Sequence, residues 1–96
     1  MSDLGFVGLG AIGGAIAERL LTQKHRLRVY DINADALTRL VDLGASNGQS
    51  CMELSAGCEI VFLSLPSPEV VEHVVLGQSG LLSQSKKLRY IVDLST

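Results

Sequence analysis

The chain has 96 residues, 47% of them hydrophobic and 19% charged, and a formal net charge of −2. This composition excludes a disordered protein and predicts one small globular domain with a thin hydrophobic core. The basic residues are scattered, and two Tyr, two Phe and no Trp offer no surface for stacking bases, so we expect no nucleic-acid partner.

The hydrophobic pattern alternates between strand and helix along the chain. In the first half it predicts a strand at residues 4–8, a helix on Ile12, Ile16 and Leu20, a strand at 26–30, and a helix on Leu37, Leu40 and Val41. In the second half it predicts a short strand and a helical turn near 51–55, a strand at 59–65, a helix buried along Val70, Val71, Val74 and Val75, and a strand at 88–94.

Residues with capping preferences mark several of the helix ends. Asn33 is a predicted N-cap, and Ser67 is another, with Pro68 at the first helical position. Gly44 is predicted to end the second helix in a left-handed conformation, and Gly77 to stop the last one.

Strands that alternate with helices predict an α/β fold with a parallel sheet and right-handed crossovers. We expect a Rossmann-type doubly wound sheet in the strand order 3-2-1-4-5, with helices on both faces and the first strand central. Ligands of such sheets bind beyond the carboxyl ends of the strands, here between strands 1 and 4.

The segment "FVGLGAIGG" contains the pattern Gly8-x-Gly10-x-x-Gly13 between a predicted strand and a predicted helix. Gly8 permits a tight turn, Gly10 lets the backbone approach a pyrophosphate, and Gly13 lets the helix pack against the sheet. The helix N-terminus offers unpaired N–H groups and a positive dipole end to phosphates. A glycine-rich turn without a ligand is the alternative.

Asp31 follows the second predicted strand, where an acidic residue binds the adenosine ribose hydroxyls of a dinucleotide. Its carboxylate repels a 2′-phosphate, and Ile32 stands where an arginine would be needed to hold one. The pair therefore predicts a preference for NAD over NADP. The alternative is that Asp31 only helps to begin the next helix.

The segment "SLPSPEV" follows the fourth predicted strand. We expect Leu65 and Pro66 to form an apolar flank for the cofactor and Val70 to reach its adenosine side. An ordinary loop and helix cap is the alternative. His25 and His73 are expected to be surface residues, and no metal site is predicted.

Together, "FVGLGAIGGAIAERL", "VYDIN", "LSLPSPEVVEHVVLGQSGLL" and "IVDLST" resemble the N-terminal domain of the β-hydroxyacid dehydrogenase family over the whole chain. This family includes 3-hydroxyisobutyrate dehydrogenase and tartronate semialdehyde reductase, with 6-phosphogluconate dehydrogenase a larger relative. The resemblance implies that Thr96 lies near the nicotinamide and that Ser95 helps to hold the substrate. The cofactor-binding residues expected from motif and resemblance are Gly8, Leu9, Gly10, Ala11, Ile12, Gly13, Asp31, Ile32, Asn33, Leu65, Pro66, Val70 and Thr96.

The resemblance also implies that the catalytic lysine and an all-helical substrate domain come later than Thr96. We therefore expect residues 1–96 to be one dinucleotide-binding domain that ends after strand 5, with no catalytic residue and no turnover alone. A small hydroxyacid would bind only with the missing domain. The alternatives are a non-catalytic NAD-binding or sensing module and the cofactor domain of an NADP-dependent reductase of the 6-phosphogluconate or imine type.

Location and assembly are also predicted. Residues 4–17 are apolar, but Asp3 precedes them and glycines interrupt them, so we expect neither a signal peptide nor a membrane span. Cys51 and Cys58 lack metal-ligand or redox-motif spacing, and predict free thiols in a reducing cytoplasm. The apolar last strand would be an unprotected sheet edge, which predicts a homo-oligomer.

Overall fold

The computed structural model describes residues 3–83 and 87–95, which form five strands and four helices. The strands are β1 (Asp3–Val7), β2 (Leu27–Tyr30), β3 (Ser46–Asn47), β4 (Cys58–Leu63) and β5 (Tyr90–Asp93). The helices are α1 (Ala11–Thr22), α2 (Ala34–Asp42), α3 (Cys51–Gly57) and α4 (Pro68–Leu76). None of these helices is long and apolar enough to cross a membrane.

The strands form one sheet in the order β3-β2-β1-β4-β5, and every neighbouring pair is parallel. This confirms the predicted doubly wound order. The register places Val7, the last residue of β1, opposite Tyr30 of β2 and Leu63 of β4. Because three strands end at the same level, the residues that follow them meet at one edge of the sheet.

Two hydrophobic clusters lie on opposite faces of this sheet. Phe6 belongs to the cluster beneath α1 and α2, and its neighbour Val7 belongs to the cluster beneath α3 and α4. This division follows from the alternation of side chains along a strand. Phe6 stacks on Phe62 with ring centroids 5.9 Å apart. The prediction of helices on both faces is therefore confirmed.

The predicted caps are confirmed. Asn33 accepts hydrogen bonds from the backbone N–H groups of Asp35 and Ala36, and Ser67 accepts one from Val70. Gly44 follows α2 with a φ of 120°, a positive value that side-chain-bearing residues rarely adopt.

Three local predictions are corrected by the structure. The region near 51–55 forms a full helix, α3, because Ser50 caps its first turn by accepting from the N–H of Glu53. Strand β4 ends at Leu63 rather than at residue 65, and β5 is shorter than predicted. The valines of α4 are half-buried rather than buried, because all four of them line open clefts of the structure.

Candidate functional site

A cleft of about 550 Å³ opens at the carboxyl ends of β1, β2 and β4, which is the predicted ligand position. Its volume lies within the range of small-molecule sites. The described residues that line it are Val7, Gly8, Gly10, Ile12, Gly13, Tyr30, Asp31, Ile32, Cys51, Ser64, Leu65, Pro66, Val70, Val74, Leu94 and Ser95.

Two of the three motif glycines are required by the fold itself. Gly8 has a φ of 97°, and a Cβ there would collide with the carbonyl oxygen of Ser64. A Cβ on Gly13 would collide with the carbonyl oxygen of Gly8. The absence of a side chain therefore permits the tight turn at Gly8 and the close packing of α1 at Gly13, as the sequence predicts.

Gly10 has a different environment, because a Cβ there would meet nothing within 4 Å. It is the N-cap of α1, and no described side chain caps this end. Side chains cap the other three helices. The first bond of α1 runs from the N–H of Gly14 to the carbonyl of Gly10 at 2.7 Å, so the N–H groups before it lack intrahelical partners. This end of α1 is therefore free to bind an anion in the cleft.

Asp31 lies at the mouth of the cleft, directly after β2. Its Oδ2 accepts a hydrogen bond from the N–H of Leu9 at 2.7 Å, and its Oδ1 accepts one from the N–H of Asn33 at 2.8 Å. A carboxylate has about four acceptor positions, so both oxygens keep capacity for ligand hydroxyls. Ile32 beside it is 92% exposed, which leaves the approach to Asp31 without a covering side chain.

The opposite wall is built from the segment after β4. Leu65, Pro66 and Val70 give this wall its apolar character. The N–H of Leu65 donates to the Ser95 hydroxyl at 2.7 Å, which joins the segment to the residues after β5. The side chain and backbone N–H of Ser95 also hydrogen-bond to the Asp93 carboxylate, which lowers the pKa of Asp93.

Most of the predicted site residues therefore meet in one place. The cleft brings together Gly8, Gly10, Ile12, Gly13, Asp31, Ile32, Leu65, Pro66, Val70 and Ser95. Three others do not line it: the Leu9 side chain is buried in the core, Ala11 begins α1, and Asn33 caps α2. The prediction for Thr96 lies outside the described residues.

The sequence interpretation missed several lining residues. Tyr30 and Ser64 stand next to Asp31 and Leu65 at strand ends, and the rule that ligands bind at the carboxyl ends of strands is enough to find them. Cys51 lines the cleft from the first turn of α3, where the sequence predicts only a helical turn. Burial raises the pKa of its thiol, so it is a poor nucleophile at neutral pH. Among residues 3–83 and 87–95, no three His, Cys, Asp or Glu side chains are placed to hold a metal ion.

Four features together define a dinucleotide-binding domain of the Rossmann type. They are the doubly wound sheet, the glycine-rich loop, the uncapped N-terminus of α1 and the acidic residue after β2. Residues 3–96 match the model of the NAD binding domain of 6-phosphogluconate dehydrogenase. The chain belongs to this family, in agreement with the resemblance to β-hydroxyacid dehydrogenases noted from its motifs.

Curated relatives align over the full chain. The 3-hydroxyisobutyrate dehydrogenase of Pseudomonas aeruginosa is 38% identical over 96 residues, and the 3-sulfolactaldehyde reductase of Escherichia coli is 34% identical over 96 residues. In both cases the alignment covers 100% of this chain and 32% of the relative. The chain therefore spans about a third of the length of these two oxidoreductases.

Solved structures show the same fold. Psf3 in complex with NADP+ and 2-OPP has a TM-score of 0.88 and 29% identity, covering 97% of this chain and 33% of Psf3. The 3-hydroxyisobutyrate dehydrogenase of Mycobacterium tuberculosis, solved with L-serine, has a TM-score of 0.87 and 26% identity, covering 100% of this chain and 32% of that enzyme. The fold of this chain is thus shared with about a third of each of these two structures.

Proposed function

We propose that the cleft binds NAD(H) in preference to NADP(H). Asp31 is the only charged side chain among the described residues that line it, and no Lys or Arg lies there. A 2′-phosphate on the adenosine ribose would face a carboxylate and no cation, whereas ribose hydroxyls can donate to the remaining lone pairs of Asp31. This arrangement is the observation that carries the proposal.

The other walls fit the rest of the dinucleotide. The uncapped N-terminus of α1 offers backbone N–H groups to the pyrophosphate, and Gly10 leaves room for it. Leu65, Pro66 and Val70 offer an apolar flank. When bound, the nicotinamide accepts or donates the hydride. The role of this chain is to hold and orient the cofactor and to shield it from water.

We further propose that the complete protein is a cytoplasmic oxidoreductase acting on a short 3-hydroxyacid. The names of both curated relatives support the oxidoreductase class, and the name 3-hydroxyisobutyrate dehydrogenase supports the substrate class. The free thiols Cys51 and Cys58 support the cytoplasmic location. Ser95, with Thr96, would form one wall of the substrate site. The catalytic residue is expected outside the 96 residues, so this chain alone should not oxidise 3-hydroxyisobutyrate with NAD. Turnover by the purified chain would contradict that placement.

The cofactor preference is tested by titrating NADH and NADPH into the chain and following nicotinamide fluorescence. We expect the affinity for NADH to exceed that for NADPH by a factor of about ten or more, which is the effect of one unfavourable contact between like charges. Ile32→Arg, at an exposed position, should strengthen NADPH binding by supplying a cation, and Ile32→Leu is the matched control that should change neither affinity. Tighter NADPH binding by the unmodified chain would contradict the preference.

That contrary result would favour the second candidate, an NADP-dependent reductase on the same scaffold. The observation in its favour is the NADP+ bound to Psf3, a structure 29% identical to this chain. The surroundings of Asp31 argue against it, because no described cation lies in the cleft to neutralise the additional phosphate.

A further inference from the structure

The two oxygens of the Asp31 carboxylate accept hydrogen bonds from different parts of the chain. Oδ1 accepts from the N–H of Asn33, a bond that closes a local turn at the start of α2. Oδ2 accepts from the N–H of Leu9, 22 positions earlier in the chain. The second bond is therefore a tertiary contact, and it joins the end of β2 to the middle of the glycine loop.

Two hydrogen bonds attach the glycine loop to the end of β2, and the Asp31 contact is one of them. The N–H of Gly8 donates to the carbonyl oxygen of Tyr30 at 3.1 Å, which continues the strand pairing by one residue. The next N–H along the loop, that of Leu9, is satisfied by the Asp31 side chain at 2.7 Å. The next residue, Gly10, is the N-cap of α1.

Leu9 itself is 2% exposed, and its side chain packs in the core cluster beneath α1 and α2. A backbone N–H at such a position is costly when it has no acceptor, because water cannot readily replace the lost partner. Loss of the Asp31 carboxylate would therefore be relieved by movement of the loop, and such movement would displace the N–H groups that follow it.

We propose that Asp31 is a positioning residue for the phosphate-binding loop, independently of any contact between its carboxylate and a nucleotide ribose. The proposal rests on the proposed function, in that the loop is taken to bind the pyrophosphate. Its consequence concerns cofactor specificity. Replacement of Asp31 removes the repulsion of a 2′-phosphate and narrows the preference for NAD, but it also weakens the binding of both dinucleotides.

The test compares ADP with 2′,3′-dideoxy-ADP, which has the same phosphates and no ribose hydroxyls for Asp31 to bind. Asp31→Asn replaces one carboxylate oxygen with an NH2 group that cannot accept and removes the charge from the other, so the bonds from the N–H groups of Leu9 and Asn33 are weakened. We expect the variant to bind dideoxy-ADP about tenfold more weakly than the unmodified chain, the effect of one hydrogen bond to a charged group. Calorimetry measures both affinities.

The direction in which the affinity for dideoxy-ADP changes separates a positioning role of Asp31 from a purely electrostatic one. If Asp31 acts only through its charge and the ribose, removing a negative charge near the phosphates leaves dideoxy-ADP binding unchanged or makes it tighter, and the proposal is wrong. If the unmodified chain binds neither ADP nor dideoxy-ADP, the proposed function fails instead. Asp35→Asn is the charge control, because its exposed carboxylate lies on the first turn of α2, and it should not weaken dideoxy-ADP binding.

A second readout needs no ligand. The Leu9 amide should exchange with solvent faster in the Asp31→Asn chain than in the unmodified one, measured by NMR, and unchanged exchange would also overturn the proposal. If Asp31→Asn does not fold, Asp31→Ser replaces it, because a hydroxyl can still accept from the N–H of Asn33 and keep the turn. The same weakening of dideoxy-ADP binding is then expected, and its absence contradicts the proposal.

Discussion

At the scale of single residues, the motif glycines serve different purposes that the structure separates. Gly13 is in contact with the backbone of Gly8, so its lack of a side chain is a requirement of packing. Gly10 has open space where its Cβ would lie, so its lack of a side chain is not required by the protein. We propose that a ligand approaches the backbone at that point.

This difference predicts opposite outcomes for two matched substitutions. Gly10→Val should abolish dinucleotide binding with little change in the melting temperature, because its Cβ would lie in open space on the cleft side of the loop, where the pyrophosphate is proposed to bind. Gly13→Ala should lower the free energy of unfolding by about 1–3 kcal/mol, the usual cost of overpacking. Thermal unfolding followed by circular dichroism measures the stability of both variants, and calorimetry measures their dinucleotide binding. Normal NAD binding by Gly10→Val would place the phosphate site elsewhere.

The other residue-scale prediction concerns pH. Burial raises the pKa of the Cys58 thiol to about 11, and the nearby Arg28 offsets only part of that effect. Because the unfolded thiol titrates near its ordinary value of about 8.5, the unfolded state loses its proton first as pH rises. The contribution of Cys58 to stability is therefore complete below about pH 8.5 and is lost as pH rises through the folded-state pKa of about 11.

Urea unfolding across this alkaline range tests the prediction. Cys58→Ala should be less stable than the unmodified chain at neutral pH, because it leaves a cavity, but its stability should fall less steeply as pH rises. Cys51→Ala serves as the comparison variant, since its thiol pKa is raised by the same cause in a less buried position. Parallel stability curves for Cys58→Ala and the unmodified chain would contradict the assignment.

At the scale of elements, side-chain caps determine where three helices begin. We expect Asn33→Ala to lower the free energy of unfolding by about 1 kcal/mol, because the N–H groups of Asp35 and Ala36 lose their acceptor. Asn33→Asp keeps an acceptor oxygen at the same position and should retain most of the stability. Chemical denaturation measures both. Equal stability of the Ala and Asp variants would show that the cap contributes nothing.

The elements that the sequence predicts well are those with a local signal. The caps Asn33 and Ser67, the left-handed Gly44 and the glycine loop all depend on interactions within a few positions. The helix α3 was only partly predicted, because residues 45–57 are small and polar with weak periodicity. The exposure of the α4 valines was missed, because periodicity shows which side of a helix is apolar and does not show what covers it.

The candidate site likewise has a part that local sequence patterns predict and a part that they do not. The turn residues and Asp31 have a sequence pattern, and the structure brings them together. The bonds from Leu9 to Asp31 and from Leu65 to Ser95 span 22 and 30 positions, respectively. No spacing rule in the sequence predicts them, because they depend on how the sheet aligns the ends of its strands.

At the scale of the whole molecule, the two edges of the sheet differ. The β3 edge has two residues, Ser46 and Asn47, both polar and exposed, and short polar edges resist pairing with other chains. The β5 edge is longer and apolar, and Tyr90 on it is 58% exposed. Next to it, a groove of about 450 Å³ runs between α4 and the end of β5. Its lining is mainly apolar and includes Leu76, together with the carboxylates of Glu72 and Asp93.

An exposed apolar edge beside an apolar groove favours burial against another surface. We therefore propose that the 96-residue chain self-associates through β5 and α4. One chain has a mass of 10.2 kDa, and light scattering over a concentration series should give a mass of at least about twice that value. The double variant Tyr90→Lys with Leu76→Lys should shift the mass toward the monomer, because charged side chains oppose edge pairing and burial in the groove.

The control for this experiment is Leu43→Lys. Leu43 is 48% exposed, compared with 66% for Leu76, but it lies at the end of α2 and outside the lining of the groove. It adds one positive charge, as Leu76→Lys alone does, without touching the proposed contact, so it should leave the mass unchanged. If Leu43→Lys dissociates the assembly as well as the double variant does, the effect comes from net charge and the contact is not at β5. A monomer at every concentration of the unmodified chain would show that the β5 edge does not drive association, and the proposal would be wrong.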